Sequence, residues 1–159
     1  MNYAEEIGKI LIEQNMDIAT VESCTGGLLS SKLTDISGSS AYIKLNLVTY
    51  ANEAKVKYLG VSEESIEKYG VVSEPVASRM AEGVASANGC EVGVAVSGIA
   101  GPTGAVPGKP VGTVCFGYYI NGSVYAETVF FGDLGRNIVR KSSVSHVYSR
   151  LVELLSEQK

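Results

Sequence analysis

A single histidine, His146, stands in the 159 residues of this chain. A serine–histidine–acid relay would have to rest on that one imidazole, and His146 sits in a helix-like C-terminal stretch where packing or surface exposure suits it better. Three widely spaced cysteines, Cys24, Cys90 and Cys115, add no Cys/His cluster at ligand spacing, which argues against a zinc site. Their odd number suits reduced thiols better than a disulfide framework. No apolar run approaches the roughly 18 residues of a membrane span. Residues 1–6 lack the basic and apolar regions of a signal peptide. A cytoplasmic protein with no membrane association is the expectation. Positive charge is also in deficit: 13 Lys and Arg against 17 Asp and Glu leave a net charge of −4. Phosphate-backbone binding needs clustered basic residues, so no nucleic-acid partner is expected.

What is present reads as an ordinary globular chain, 45% hydrophobic and 19% charged. A chain of this size buries roughly 68–70% of its unfolded surface, and residues 1–159 fit one domain. Ile7, Ile10 and Leu11 recur at helical spacing within residues 2–15. Ile18–Glu22 reads as a strand, Thr25–Ile36 as a helix closed by Ser37-Gly38-Ser39-Ser40, and Leu45–Tyr50 as a buried strand. Glu53–Leu59 and a segment opened by Ser62 read as short helices that stop at Gly60 and near Gly70. Ser73-Glu74-Pro75 opens a longer helix to about Ala87, because proline is tolerated in a first turn. Glu91–Ser97 is a strand and 98–110 a Gly/Pro-rich loop. Val111–Ile120 and Ser123–Phe131 flank Asn121-Gly122, a strong hairpin signal, and a helix runs from about Gly135 to Glu157. This order predicts a single three-layer α/β/α sandwich with a mixed, mostly parallel sheet and a late antiparallel hairpin.

The junction Val21-Glu22-Ser23-Cys24-Thr25-Gly26-Gly27 is the first place to look for chemistry, although by itself it also fits a phosphate cradle or a plain turn. A glycine-bearing turn between strand and helix can expose a hydroxyl and aim free N–H groups at a negative oxygen. Ser23 is the candidate nucleophile, with N–H groups around Thr25, Gly26 and Gly27 as candidate donors. Cys24 is its rival, since a helix N-terminus lowers a thiol pKa. A serine hydroxyl needs a base. With histidine scarce, lysine is the substitute, provided burial or a neighbouring cation lowers its pKa. Tyr50 and Lys55 stand near the end of the Leu45–Tyr50 strand, where open α/β sheets place ligands. By residue type alone, a solvated Lys55 and a packing Tyr50 remain open. Ser97-Gly98-Ile99-Ala100-Gly101 is a second glycine-rich strand exit, able to bring bare backbone to an anion, though a plain loop fits as well. Arg136 and Arg140 share a face near the start of the last helix, against its macrodipole, which an anionic ligand would explain.

Five segments in order, Glu22–Gly27, Thr49–Lys55, Val72–Val76, Ser97–Pro102 and Lys109–Val114, resemble the CinA C-terminal domain family. The resemblance covers about residues 5–155 and is to the stand-alone form, which includes nicotinamide mononucleotide amidohydrolases of pyridine nucleotide recycling. It implies that Ser23 is the nucleophile, Lys55 its base and Tyr50 an assisting hydroxyl. It also implies that no metal or cofactor takes part and that Arg136 or Arg140 holds the phosphate of a small nucleotide. A homodimer is implied by the resemblance only. Two alternatives accompany this reading. One is an amidase with another small substrate. The other is a catalytically silent nucleotide-binding or competence/DNA-damage-associated interaction module of the same fold.

Overall fold

The structure, a computed structural model, describes residues 2–158. Its elements in chain order are α1 (Tyr3–Glu13), β1 (Ile18–Glu22), α2 (Leu28–Thr34), β2 (Ile43–Val48), α3 (Asn52–Leu59) and α4 (Glu63–Tyr69). There follow α5 (Glu74–Ala87), β3 (Val92–Gly98), β4 (Thr113–Ile120), β5 (Ser123–Phe130) and α6 (Arg136–Ser156). Local chemistry sets several boundaries. The Asn2 side chain accepts from Glu5 N–H at the start of α1, Ser62 caps α4, and Ser73 caps α5 with Pro75 in its first turn. Asn121 and Gly122 both take positive φ in the tight turn joining β4 and β5.

One five-stranded sheet has the order β2-β1-β3-β4-β5. β1 pairs in parallel with both β2 and β3, whereas β4 runs antiparallel to β3 and to β5. Four strands therefore point one way and β4 the other, the mixed sheet with a late hairpin that the sequence predicts. One face packs against α1, α2 and α6 around Ile7, Leu11, Leu29, Phe116 and Leu151. The other packs against α3, α4 and α5 around Val21, Leu59, Met80 and Val84. Gly117 lets α5 lie close on the sheet, since a Cβ there would come 2.2 Å from Ala77 O.

Two boundaries differ from the sequence expectation. α2 begins at Leu28, not Thr25, because Gly26 and Gly27 adopt φ of 57° and 105° and hold residues 24–27 in a turn. The second strand is shifted to Ile43–Val48 and is an edge strand with half-exposed residues, not a buried one. A one-turn 3-10 helix at Ser39–Ala41 precedes it.

Chain order places the site. From β1 the chain crosses to β2 on one side by way of α2, then returns through α3–α5 on the other face to β3, on the far side of β1. The carboxyl ends of β1 and β3 therefore lead their loops apart. The divergence opens a crevice at the strand-order reversal, where open α/β sheets bind ligands.

Candidate active site

A cleft of about 480 Å³ occupies that crevice, within the size range of small-molecule sites. Ser23 and Cys24 line it from the end of β1, Tyr50 and Asn52 from the end of β2, and Gly98 to Gly101 from the end of β3. Arg136, at the start of α6, and Lys109, in the loop before β4, complete its polar wall. Ile66, Val71, Val72 and Val106 supply an apolar one.

Lys55 lies behind Ser23. It sits in the first turns of α3, is 1% exposed, and is held by Thr49 O at 2.7 Å with its Nζ 3.4 Å from Ser23 Oγ. It forms no salt bridge among the described residues. Burial pushes its pKa below the ordinary 10.5. An amine in this position has one hydrogen fixed on a carbonyl and, when neutral, a lone pair free for the serine proton. The open question of a solvated Lys55 is thereby resolved: the side chain is internal.

The turn carrying Ser23 is gripped on several sides. Ser23 N–H donates to Val96 O, and Gly26 N–H donates back to Ser23 O. Arg140 donates from Nε to Cys24 O at 3.2 Å and from NH2 to Thr25 O at 3.0 Å. The buried Glu22 carboxylate accepts Leu29 N–H, Ser30 N–H and Ser30 Oγ at 2.7, 3.0 and 2.9 Å. The first turn of α2 is thus already occupied by a carboxylate and cannot offer those donors to an oxyanion. Among the cleft-lining residues, Cys24, Ala100 and Gly101 carry N–H groups without a partner on another described residue. Ile99 N–H is committed to Thr113 O.

The residues expected from the sequence divide accordingly. Ser23, Tyr50, Gly98, Gly101 and Arg136 line the cleft, and Lys55 underlies it. Thr25, Gly26 and Gly27 shape the turn without lining the cleft. Ser97 is buried, its hydroxyl donating to Val71 O at 2.7 Å, so it braces the cleft wall. Arg140 is committed to the two carbonyls of the turn, whereas Arg136 donates to Gly101 O and to Tyr50 Oη, both at 2.8 Å. Tyr50 is 61% exposed at the mouth, and its own proton stays available because Arg136 is the donor.

Cys24 does not fit the role of rival nucleophile. Its thiol is buried, and that burial, against the pull of its own backbone N–H, pushes the pKa up to about 11, with the nearby Glu22 charge adding to the rise. The helix N-terminus expected to lower it is neutralised by Glu22. Cys90 and Cys115 are buried free thiols, as expected of core cysteines. His146 packs its ring 4.7 Å from that of Phe116 and meets Glu127 Oε1 at 2.7 Å, away from the cleft lining. Among the described residues no three His, Cys, Asp or Glu side chains gather as metal ligands, and no helix is long and apolar enough to cross a membrane.

Glu22 and Lys109 were missed as site residues by the sequence reading. Lys109 is the only cation in the Gly/Pro-rich loop 98–110, a signal that was available. Glu22 gave none, since its partners lie in the next helix.

Known proteins share this fold. The chain is 44% identical over 149 residues to a CinA-like protein of Chlorobium limicola, an alignment covering 92% of this chain and 35% of that protein. It thus spans about a third of the length of the curated relatives it matches. The crystal structure of competence damage-inducible protein A from Klebsiella pneumoniae superposes with a TM-score of 0.94 at 30% identity, covering 99% of this chain and 97% of that one. The competence/damage inducible protein of Agrobacterium tumefaciens superposes at 0.89 and 37% identity, covering 97% and 96%. With residues 1–155 matching the CinA C-terminal domain, and with relatives of this similarity, the chain belongs to the CinA C-terminal domain family.

Proposed function

We propose that this chain is an amidohydrolase that converts nicotinamide mononucleotide to nicotinic acid mononucleotide and ammonia. The observation that carries the reading is the buried Lys55 amine 3.4 Å from Ser23 Oγ beneath an open cleft. Burying an amine without a counter-ion costs stability, and a pure binding module has no need of one. Charge supports an anionic substrate. In a chain of net charge −4, the described residues that line the cleft include Arg136 and Lys109 and no carboxylate. Neither cation forms a salt bridge among the described residues. Both suit a phosphate monoester.

In this reading Ser23 Oγ attacks the carboxamide carbon as its proton passes to neutral Lys55 Nζ. The negative oxygen is held by the N–H of Cys24, the residue after the nucleophile, and by Ala100 or Gly101 across the cleft. The Lys55 ammonium returns the proton to the departing nitrogen, and ammonia leaves. Lys55 then takes a proton from water, which attacks the acyl-enzyme. The acid is released and Ser23 regains its hydrogen. Tyr50, oriented by Arg136, donates at the mouth of the cleft to the substrate.

Incubating the protein with nicotinamide mononucleotide and measuring ammonia tests the proposal. Steady ammonia release that Ser23→Ala abolishes is the expected result. No release at any protein concentration overturns the substrate, and release that survives Ser23→Ala overturns the nucleophile.

A further inference from the structure

Among the described Asp, Glu, Lys and Arg side chains only two are buried, Lys55 and Glu22. Lys55 has its role above. Glu22 is 0% exposed and forms no salt bridge among the described residues. A buried carboxylate is costly unless its oxygens are hydrogen-bonded, and here three donors converge on them. Two of those donors are first-turn N–H groups of α2, a helix whose N-cap, Gly27, provides no side-chain acceptor. Glu22 reaches back from the strand to supply the missing cap, with the charge that a helix N-terminus favours.

The main chain of the same residue binds the other half of the site. Glu22 O accepts Thr49 N–H at 2.9 Å, and Thr49 O in turn holds Lys55 Nζ at 2.7 Å. Alternation along β1 keeps these jobs separate. Ile18 and Glu22 face the α1–α2–α6 layer, whereas Ala19 and Val21 face the α3–α5 layer, from which Lys55 approaches Ser23. The Glu22 carboxylate therefore cannot act on Ser23 Oγ directly and acts through the backbone between them.

We propose that Glu22 is a positioning residue that holds Ser23 in register with Lys55, its carboxylate fixing the Ser23–Gly27 turn through α2 while its carbonyl fixes Thr49. The role rests on Ser23 and Lys55 being nucleophile and base, but not on the identity of the amide.

A fluorophosphonate probe reads the geometry without the natural substrate. Ser23 Oγ forms a bond to phosphorus, the P–F bond breaks, fluoride leaves, and the hydroxyl proton goes to Lys55. Glu22→Gln keeps the shape but leaves one donor facing an amide NH2. Its labelling rate, measured per folded molecule, is expected to fall about 10–100-fold, the scale of a misplacement near 1 Å. Turnover of the amide should fall in parallel, with KM within about threefold. Ser30→Ala removes one of the three bonds, together with the hydroxyl's contact to Gly27 O at 3.1 Å, and should give a smaller fall, which keeps the test available if Glu22→Gln does not fold. Leu154→Ala destabilises α6 away from the turn and should label at the wild-type rate. A wild-type rate in Glu22→Gln, or in Ser30→Ala where Glu22→Gln does not fold, would overturn the proposal, as would failure of the wild type to label at Ser23. Labelling at Ser23 without ammonia release from the nucleotide overturns the substrate reading alone, and the variant rates still decide the role of Glu22.

Discussion

Replacing Lys55 by methionine keeps most of the side-chain volume and removes the amine, so it isolates one proton in two observables. Burial holds the Lys55 pKa below 10.5 in the folded chain, while the unfolded chain titrates at the ordinary value. Between the lowered pKa and 10.5 the unfolded chain binds more protons than the folded one. Wild-type stability therefore rises with pH through that window, and below it the cost of charging a buried amine is fully present. One proton is worth up to about 1.4 kcal/mol per pH unit. For a chain of this size that corresponds to about 3–5 °C in melting temperature per unit. The Lys55→Met protein lacks this titration, and most other groups cancel in the comparison. Melting curves of both proteins from pH 6 to 10 should show the wild type gaining on the variant as pH rises. The acid limb of kcat/KM reports the same proton in the free enzyme and should have its midpoint at the lower edge of that stability window. Activity in the variant should fall by about 10²–10⁴-fold. A constant difference in melting temperature across the range would refute the reasoning, as would an acid limb that survives the substitution.

The two arginines separate cleanly. Arg136→Ala should raise KM for the nucleotide by about tenfold or more, because it removes a cleft cation. Arg140→Ala should instead lower kcat with little change in KM, since it releases Cys24 O and Thr25 O; steady-state kinetics distinguish the two, and a KM effect confined to Arg140→Ala would contradict the assignment. Cys24→Ala should retain activity within a few-fold, and wild-type Cys24 should react slowly with thiol reagents at pH 7–8, as a buried thiol with a pKa of about 11 must. Gly117→Ala drives a Cβ to 2.2 Å from Ala77 O and should cost about 3 kcal/mol, or about 6–12 °C in a thermal melt. A near-wild-type melting temperature would show that α5 can retreat from the sheet.

Much of the fold was legible because its signals are local. Ser62, Ser73 with Pro75, and Asn121-Gly122 act on neighbouring backbone and mark the same boundaries in any context. The start of α2 was misplaced because Gly26 and Gly27 read as part of a helix-opening turn, and only their positive φ shows that the helix waits until Leu28. The edge position of β2 was illegible, since an apolar run does not say how many neighbours a strand will have.

Ser23, Tyr50 and Lys55 were nameable from residue types, order and resemblance, but their surroundings were not. The expected lowering of the Cys24 pKa became a rise because the thiol lies inside, with the nearby Glu22 charge adding to it. Arg136 and Arg140 look equivalent in sequence, yet one reaches the cleft and the other the carbonyls behind it. The sequence by itself determined which segments are helices and strands and which residue types could do chemistry, since backbone propensity and capping act over a few residues. Tertiary structure decided which of them meet. Parallel pairing of β1 with β2 and β3 brings the ends of strands some 25 and 75 residues apart to one edge of the sheet. Only there does Lys55 become buried beside Ser23, and burial is what lowers the pKa of an otherwise ordinary lysine.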